Sequence, residues 1–382
     1  MLRYLTAGET HGKCLTVIIE GMPAGVKVDV HKINDALADR QKGYGRGGRM
    51  LIEKDTAEIL SGVRGGYTLG SPIAIKIENK DWKNWEEIMG AQSSNGKKSV
   101  ECPRPGHADL TGGIKYNHKD LRNVLERASA RETAARVAVG AVCEQLLEQF
   151  GIELDRRVVC IGEVEDTSEV FDEAFYQRVS QSCVGFGDEA SEKKATEYID
   201  NIKSSGESVG GIVEIRAKGV LPGLGSYTHY DRKLDANIAF SVMSVQAIKG
   251  VEFGMGFDTA RTCGSKVHDE IVYTDGAFSR MSNNAGGIEG GMSNGEDIVV
   301  RAAMKPIPTL YNPLRTVDLK DKSEQKASVE RSDACAVPAC SVVVKAVVAF
   351  EIAKAFLDKF ASDCMADLKK SVEDYKNRIA EY

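Results

Sequence analysis

Between residues 118 and 150 the chain repeats apolar side chains at spacings of three and four: Leu121, Val124, Leu125, Ala128, Ala135, Ala138, Val142 and Leu146, with Gly151 placed to cap the end. That period predicts a helix. Its middle, ASARETAARVAVGA (128–141), consists mostly of small residues, so another backbone can approach closely. Such a helix belongs at the centre of the fold or at a subunit interface. A second apolar segment, 341–357, carries Lys345, Glu351 and Lys354 and is expected to be a packed helix, not a membrane span.

Strand signals surround these helices. AGETHGKCLTVIIEGMPAG (7–25) feeds a glycine-bracketed histidine into an alternating run, Leu15, Val17 and Ile19, and a helix follows near 30–39. Further strand-like runs lie near 57–63, at 71–79 and in GGIVEIRAKGV after 209, with a helix expected at 234–247. Residues 81–104 read as a surface excursion, 155–208 as acidic chain with one or two ordinary helices, and 250–295 as ordered glycine-rich loops. No Pro/Ser-rich hinge or tandem repeat divides the chain, so one α+β domain is expected over residues 1–382.

Charge and cysteine usage narrow the function classes. Lys and Arg number 50 against 56 Asp and Glu, a net charge of −6 that disfavours bulk attraction to nucleic acid or a membrane surface. Any anion site must therefore be built locally. The nine cysteines are scattered, without C-x-x-C or zinc spacing, which points to a reducing compartment and no structural metal. The start, MLRYLTAGET, lacks the apolar stretch of a signal peptide, so a cytoplasmic location is expected.

Two formal motifs fail on context. GYGRGG (43–48) matches G-x-G-x-x-G but follows a helix where a strand is required, and GAQSSNGKKS lacks the spacing of a P-loop. H-E-x-x-H is absent. Other stretches hold chemistry together. Arg40, Lys42, Arg46 and Arg49 fall within ten positions among glycines, suiting a phosphate or carboxylate, although a solvated loop or an RNA contact reads equally well. RPGHADLTGG (104–113) aims Arg104 and His107 around a Pro-Gly turn, a pairing fit for holding an anion and protonating a leaving oxygen. Arg127 and Arg131 stand one helical turn apart around Ser129, with Glu126 and Glu132 as alternative partners on a solvated face. AGGIEGGMSNGE (285–296), KPIPT (305–309) and RSDACAVPAC (331–340) complete the set; Asp333 could equally begin a helix.

Taken in chain order, these stretches resemble the chorismate synthase family. GETHGKCLTVIIEGMPAG is similar to its first signature, ERASARETAARVAVGAV to its second and RSDACAVPAC to its third. RQKGYGRGGRM, SGVRGGYTLGSPIAI, NKDWKNW, RPGHADLTGGIKY, LPGLGSYTHYDRKLDANIAFSVMSVQAIKGVEFGMGF, NNAGGIEGGMSNGE and KPIPTL lie between them in family order. The resemblance implies an α+β fold, a β-α-β sandwich with helices enclosed between antiparallel sheets, and a homotetramer. It implies a lyase that converts 5-enolpyruvylshikimate 3-phosphate to chorismate and phosphate by 1,4-anti elimination, using reduced FMN.

Residue roles follow from the same resemblance. His11 would protonate the reduced flavin, His107 would assist phosphate departure, and Asp333 would act as a base at the flavin, near Arg331. Arg127, Ala128, Ser129, Gln246, Ala247, Gly290, Lys305, Pro306, Ile307, Pro308, Thr309 and Arg331 match flavin-contacting positions; Arg40, Arg46, Arg104 and Arg131 match substrate or NADP positions. NADPH is expected only as an indirect electron source, through a separate flavin reductase, although some family members reduce flavin themselves. Thr10 stands where Ser is commoner, Ser332 and Ala334 where His and Pro are common, and Lys345 where an acid is common.

Overall fold

The computed structural model describes residues 1–47, 54–274, 276–329 and 333–382. Alternation in the first strands builds one wall. Strands β1 (Arg3–Ala7), β2 (Cys14–Glu20), β3 (Ala57–Ser61) and β4 (Ile73–Glu78) pair antiparallel in the order β1-β2-β4-β3. Their register sets Leu15 opposite Ile77, Val17 opposite Ile75 and Ile19 opposite Ile73, all buried, so every second residue faces inward. The opposite wall holds β5 (Glu153–Ile161), β6 (Val164–Glu165), β7 (Gly211–Lys218), β8 (Ile248–Phe253) and β9 (Ile298–Met304), again antiparallel, in the order β8-β9-β7-β5-β6.

Helices α1 (Val30–Gln41), α2 (Thr133–Glu148) and α4 (Val337–Lys359) fill the space between the walls, and α3 (Leu234–Met243) packs on α4 and the edge strand β8. Helix α2 touches β1, β2 and β4 on one side and β5 on the other; α4 lies on β5, β7 and β9, and the two helices pack together. The expected sandwich of enclosed helices is thus the observed fold, with one hydrophobic cluster running through both sheets and the helices between them.

Close approach makes this layer possible. A Cβ on Gly140 would sit 2.4 Å from both Cα and Cβ of Ala346, so the two inner helices meet at backbone distance. Lys345 on α4 is absorbed at the same seam, its Nζ donating to Glu144 on α2 at 2.7 Å.

Several expected boundaries shift. The helix expected over 118–150 is broken into Arg122–Ala128, a 3-10 turn Ala130–Glu132 and α2, because Ser129 is extended (φ −67°, ψ 149°) and its Oγ caps Arg131 N. Composition hides this break, since serine and alanine continue the helical pattern. Residues 81–104 are not merely a surface excursion, for Trp85 turns inward and is buried. The segment 155–208 begins inside β5, and the 250–295 loops include β8 and the hairpin Ile271–Thr274/Ala277–Arg280. A helix, Asp109–Tyr116, follows the His107 turn, and another, Met365–Glu381, closes the chain. Among the described residues no helix is long and apolar enough to cross a membrane.

In a free helix interior, Gly→Ala is stabilising by up to about 1 kcal/mol. Here the sign reverses. Gly140→Ala is expected to destabilise the protein by about 1–3 kcal/mol through forced separation of α2 and α4, read as a lower urea midpoint; an unchanged or raised midpoint contradicts this packing.

Candidate active site

The turn between β1 and β2 is tight: Gly8 has φ 110°, and a Cβ there would lie 2.4 Å from Cys14 O. This turn lays Thr10 and His11 against Glu126, from the short helix preceding α2. The Glu126 carbonyl accepts from Thr10 N and Thr10 Oγ1, each at 2.9 Å, so the threonine hydroxyl supplies the donor that a serine would. The Glu126 carboxylate accepts from His11 N and from His11 Nδ1, each at 2.8 Å, and from Arg122 Nη1 at 3.1 Å. Burial by itself would raise the Glu126 carboxyl, but the His11 contacts and Arg122 outweigh it and hold it below its usual value. The His11 ring is stacked on Trp85, centroids 3.6 Å apart and planes 18° from parallel, while Asp81 accepts from the Trp85 indole and Lys98 Nζ lies 3.7 Å from that ring.

Behind the histidine turn, Asp55 Oδ2 accepts from Arg40 Nη2 at 2.9 Å and Arg131 Nη1 at 2.6 Å. Arg131 Nε also donates to Asn79, whose amide in turn donates to the carbonyls of Glu9 and Gly12. The arginine pair and the histidine turn are therefore one hydrogen-bonded unit. Burial pushes the Arg40 guanidinium down to about 10, against the pull of Asp55, leaving it a cation at neutral pH. Arg46 Nη1 donates to Asp333 Oδ2 at 2.9 Å, and Gly47 N donates to Oδ1 at 2.6 Å, joining the Gly-Arg loop to the segment that leads into α4. Ala334 N donates to Gly45 O at the same junction.

The second histidine has a parallel arrangement. His107 Nδ1 contacts Asp109 Oδ1 at 2.5 Å, Arg104 grips both Asp109 oxygens (Nε 2.8 Å, Nη2 3.1 Å), and Arg104 Nη1 donates to Thr309 Oγ1 at 3.0 Å. Burial alone would raise the Asp109 carboxyl; His107 and Arg104 overcome this and hold it far below the usual carboxylate range. Lys305 Nζ donates to Gly106 O, Pro308 lies beside Gly106, and Lys305 N donates to Ala247 O. Ser208 Oγ holds Ile307 O at 2.6 Å, and Pro306 is exposed.

From Ala247 the contacts return to the first histidine turn. Gln246 Nε2 donates to Glu132, Glu132 accepts from Thr6 Oγ1, and Arg127 donates to the carbonyls of Thr6 and Gly8. Ala128 and Ser129 lie at the helix break between them. Arg127 and Arg131 are therefore not paired with Glu126 and Glu132 on a solvated face; both acids are buried and bind other groups. Gly290 lies at an exposed hairpin tip whose Gly291 carbonyl accepts from Leu234 N, anchoring it to α3. Arg331 and Ser332 lie outside the described residues. Glu126, Asp109, Asp55 and Trp85 were missed as site residues; only Asp109, two positions after His107, had a local signal.

An open cavity of about 620 Å³, lined by Val251, Phe257, His268 and Asp269 among others, contains none of the predicted site residues. The chemistry gathers elsewhere. A layered α+β fold that anchors two imidazoles on buried carboxylates and holds four arginines in ion pairs has the groups an enzyme needs for proton transfer beside an anionic ligand. The chorismate synthase family model matches residues 2–357. A chorismate synthase of Aquifex aeolicus is 54% identical over 396 residues, covering 100% of this chain and 99% of that protein. One of Staphylococcus aureus (strain MRSA252) is 52% identical over 388 residues, covering 100% of both. A crystal structure of chorismate synthase matches with a TM-score of 0.81 and 45% identity, over 100% of this chain and 99% of the other. The chain belongs to the chorismate synthase family.

Asp55, Asp109 and Glu126 are each held below the ordinary values, 3.8 for Asp and 4.5 for Glu. Their contribution to stability is complete above those values and is lost as pH falls through the lower, folded-state ones. The urea midpoint is expected to fall below about pH 4.5. Asp55→Asn, which leaves two buried guanidiniums beside a neutral amide, is expected to cost about 3–5 kcal/mol at pH 7 and to flatten the acid branch; a midpoint like that of the unmodified protein would contradict the role of Asp55.

Proposed function

We propose that this enzyme converts 5-enolpyruvylshikimate 3-phosphate to chorismate and phosphate by 1,4-anti elimination, the last step of the shikimate pathway, and that it requires reduced FMN. The observation carrying this reading is the pair of imidazoles, His11 on Glu126 and His107 on Asp109, set among Arg40, Arg46, Arg104 and Arg131. A phosphate dianion and a carboxylate call for several cations, and guanidinium forks suit both. His107, beside the Arg104 guanidinium, assists departure of the phosphate by donating a proton to its bridging oxygen. Asp333, beside Arg46, is the base that takes up a proton, and His11 is the proton donor on the flavin side.

The residues available fit a flavin. Gln246 Oε1 is buried without a hydrogen-bond partner, which an N–H of a planar heterocycle would satisfy. Ala247 beside it holds φ 71°, and Arg127 and Lys305 supply charge for a phosphate tail. Reduced FMN held there would supply transient electron donation to a reaction that is redox-neutral overall. Arg127, Ala128, Ser129, Gln246, Ala247, Gly290 and the Lys305–Thr309 loop would hold it, with NADPH acting only indirectly through a separate reductase. The assembly proposed is a homotetramer, working in the cytoplasm.

The test is anaerobic turnover with chemically reduced FMN, then with oxidised FMN plus NADPH, following phosphate and chorismate together. Stoichiometric products in the first assay alone are expected. Products in both would make NADPH a direct reductant, and none in either would overturn the proposal. His107→Ala is expected to lower turnover with reduced FMN by about 10²–10⁴-fold; full retained activity would remove His107 from the chemistry.

A further inference from the structure

We propose that Glu126 is the positioning residue for His11, fixing which ring nitrogen transfers the proton and stabilising the protonated ring. The inference rests on the reading of His11 as a proton donor given above. An ionised carboxylate only accepts hydrogen bonds, so the 2.8 Å contact assigns the Nδ1 proton to Glu126. The proton that leaves is then the one on Nε2, and the ring ends as the neutral Nδ1–H tautomer. The other Glu126 oxygen holds the His11 backbone N–H, so ring and main chain are set by one side chain. Its own position is fixed by Arg122 and by the two donors of Thr10 on its carbonyl. Side-chain exposure is 13% for His11 and 1% for Glu126, so the pair is little screened by water.

Trp85 completes the clamp on the ring face. Among the described residues, the charged groups around the imidazole include Glu126 and Arg122 from the short helix, Lys98 and Asp81 about the Trp85 indole, and Glu9 in the histidine's own turn. The stack also provides a reporter, because a protonated imidazole in contact with an indole quenches its fluorescence. The chain has only two tryptophans, so Trp82→Phe isolates the signal of Trp85.

In that background the Trp85 fluorescence is titrated from pH 5 to 9 beside the pH profile of turnover with reduced FMN, for Glu126→Gln, Arg122→Gln and His11→Ala. Loss of the carboxylate charge is expected to move the fluorescence midpoint down by about one pH unit, with turnover on the alkaline limb falling about tenfold. Loss of the Arg122 cation is expected to move the midpoint up. His11→Ala should abolish the titration. Unmoved midpoint and profile in Glu126→Gln, with His11→Ala inactive, would overturn the positioning role alone. Full turnover in His11→Ala would overturn the reading of His11 and the proposal with it. Should Glu126→Gln fail to fold, the direction of the Arg122→Gln shift decides: upward supports the proposal, and no shift or a downward one overturns it.

Discussion

The contact between Gly140 and Ala346 governs where everything else can lie. At backbone distance, α2 and α4 occupy one layer thin enough for both sheets to close over them. The residues entering α2 bond to β1 and the turn after it, and the break at Ser129 lies among them. Glu126, Arg127, Arg131, Glu132 and Thr133 thereby reach the His11 turn, the Arg40 guanidinium and Gln246 in a stretch of eight residues. Packing in the core and placement of the site are consequently one problem.

Electrostatics follows the same economy. Asp55 joins Arg40 to Arg131, Asp109 joins Arg104 to His107, and Glu126 joins Arg122 to His11. A carboxylate about 4 Å from a cation is worth roughly 4 kcal/mol at an effective dielectric of 20, enough to offset part of the cost of burying both. Sharing each acid between two bases draws the bases together, which separate pairs would not do. The result is local concentration of cationic groups in a chain whose net charge is −6.

What could be read from sequence divides by distance along the chain. The His11 turn, the Gly-Arg loop and the Arg104/His107 turn were legible because glycine and proline announce their backbone locally. The enclosing sheets came from resemblance, since periodicity shows an apolar helix without showing what covers it. Glu126 was read as surface charge because its partner is 115 positions away, and nothing near it distinguishes a buried acid from a solvated one. Trp85 escaped for a similar reason: its polar neighbours suggest a surface loop, while the imidazole that it stacks on belongs to the first turn. The break at Ser129 is silent, because a capping serine costs the helical pattern nothing visible.

The proposed function requires an anion site and a flavin site to meet between the two carboxylate-anchored histidines. The most direct measurement is a crystal structure of the full chain with 5-enolpyruvylshikimate 3-phosphate and oxidised FMN both present. The substrate phosphate is expected within hydrogen-bond distance of His107 and of arginines from the group Arg40, Arg46, Arg104 and Arg131, with the flavin against Gln246 and the Lys305–Thr309 loop. Ligands seated instead in the cavity bounded by Val251, Phe257 and His268 would contradict it.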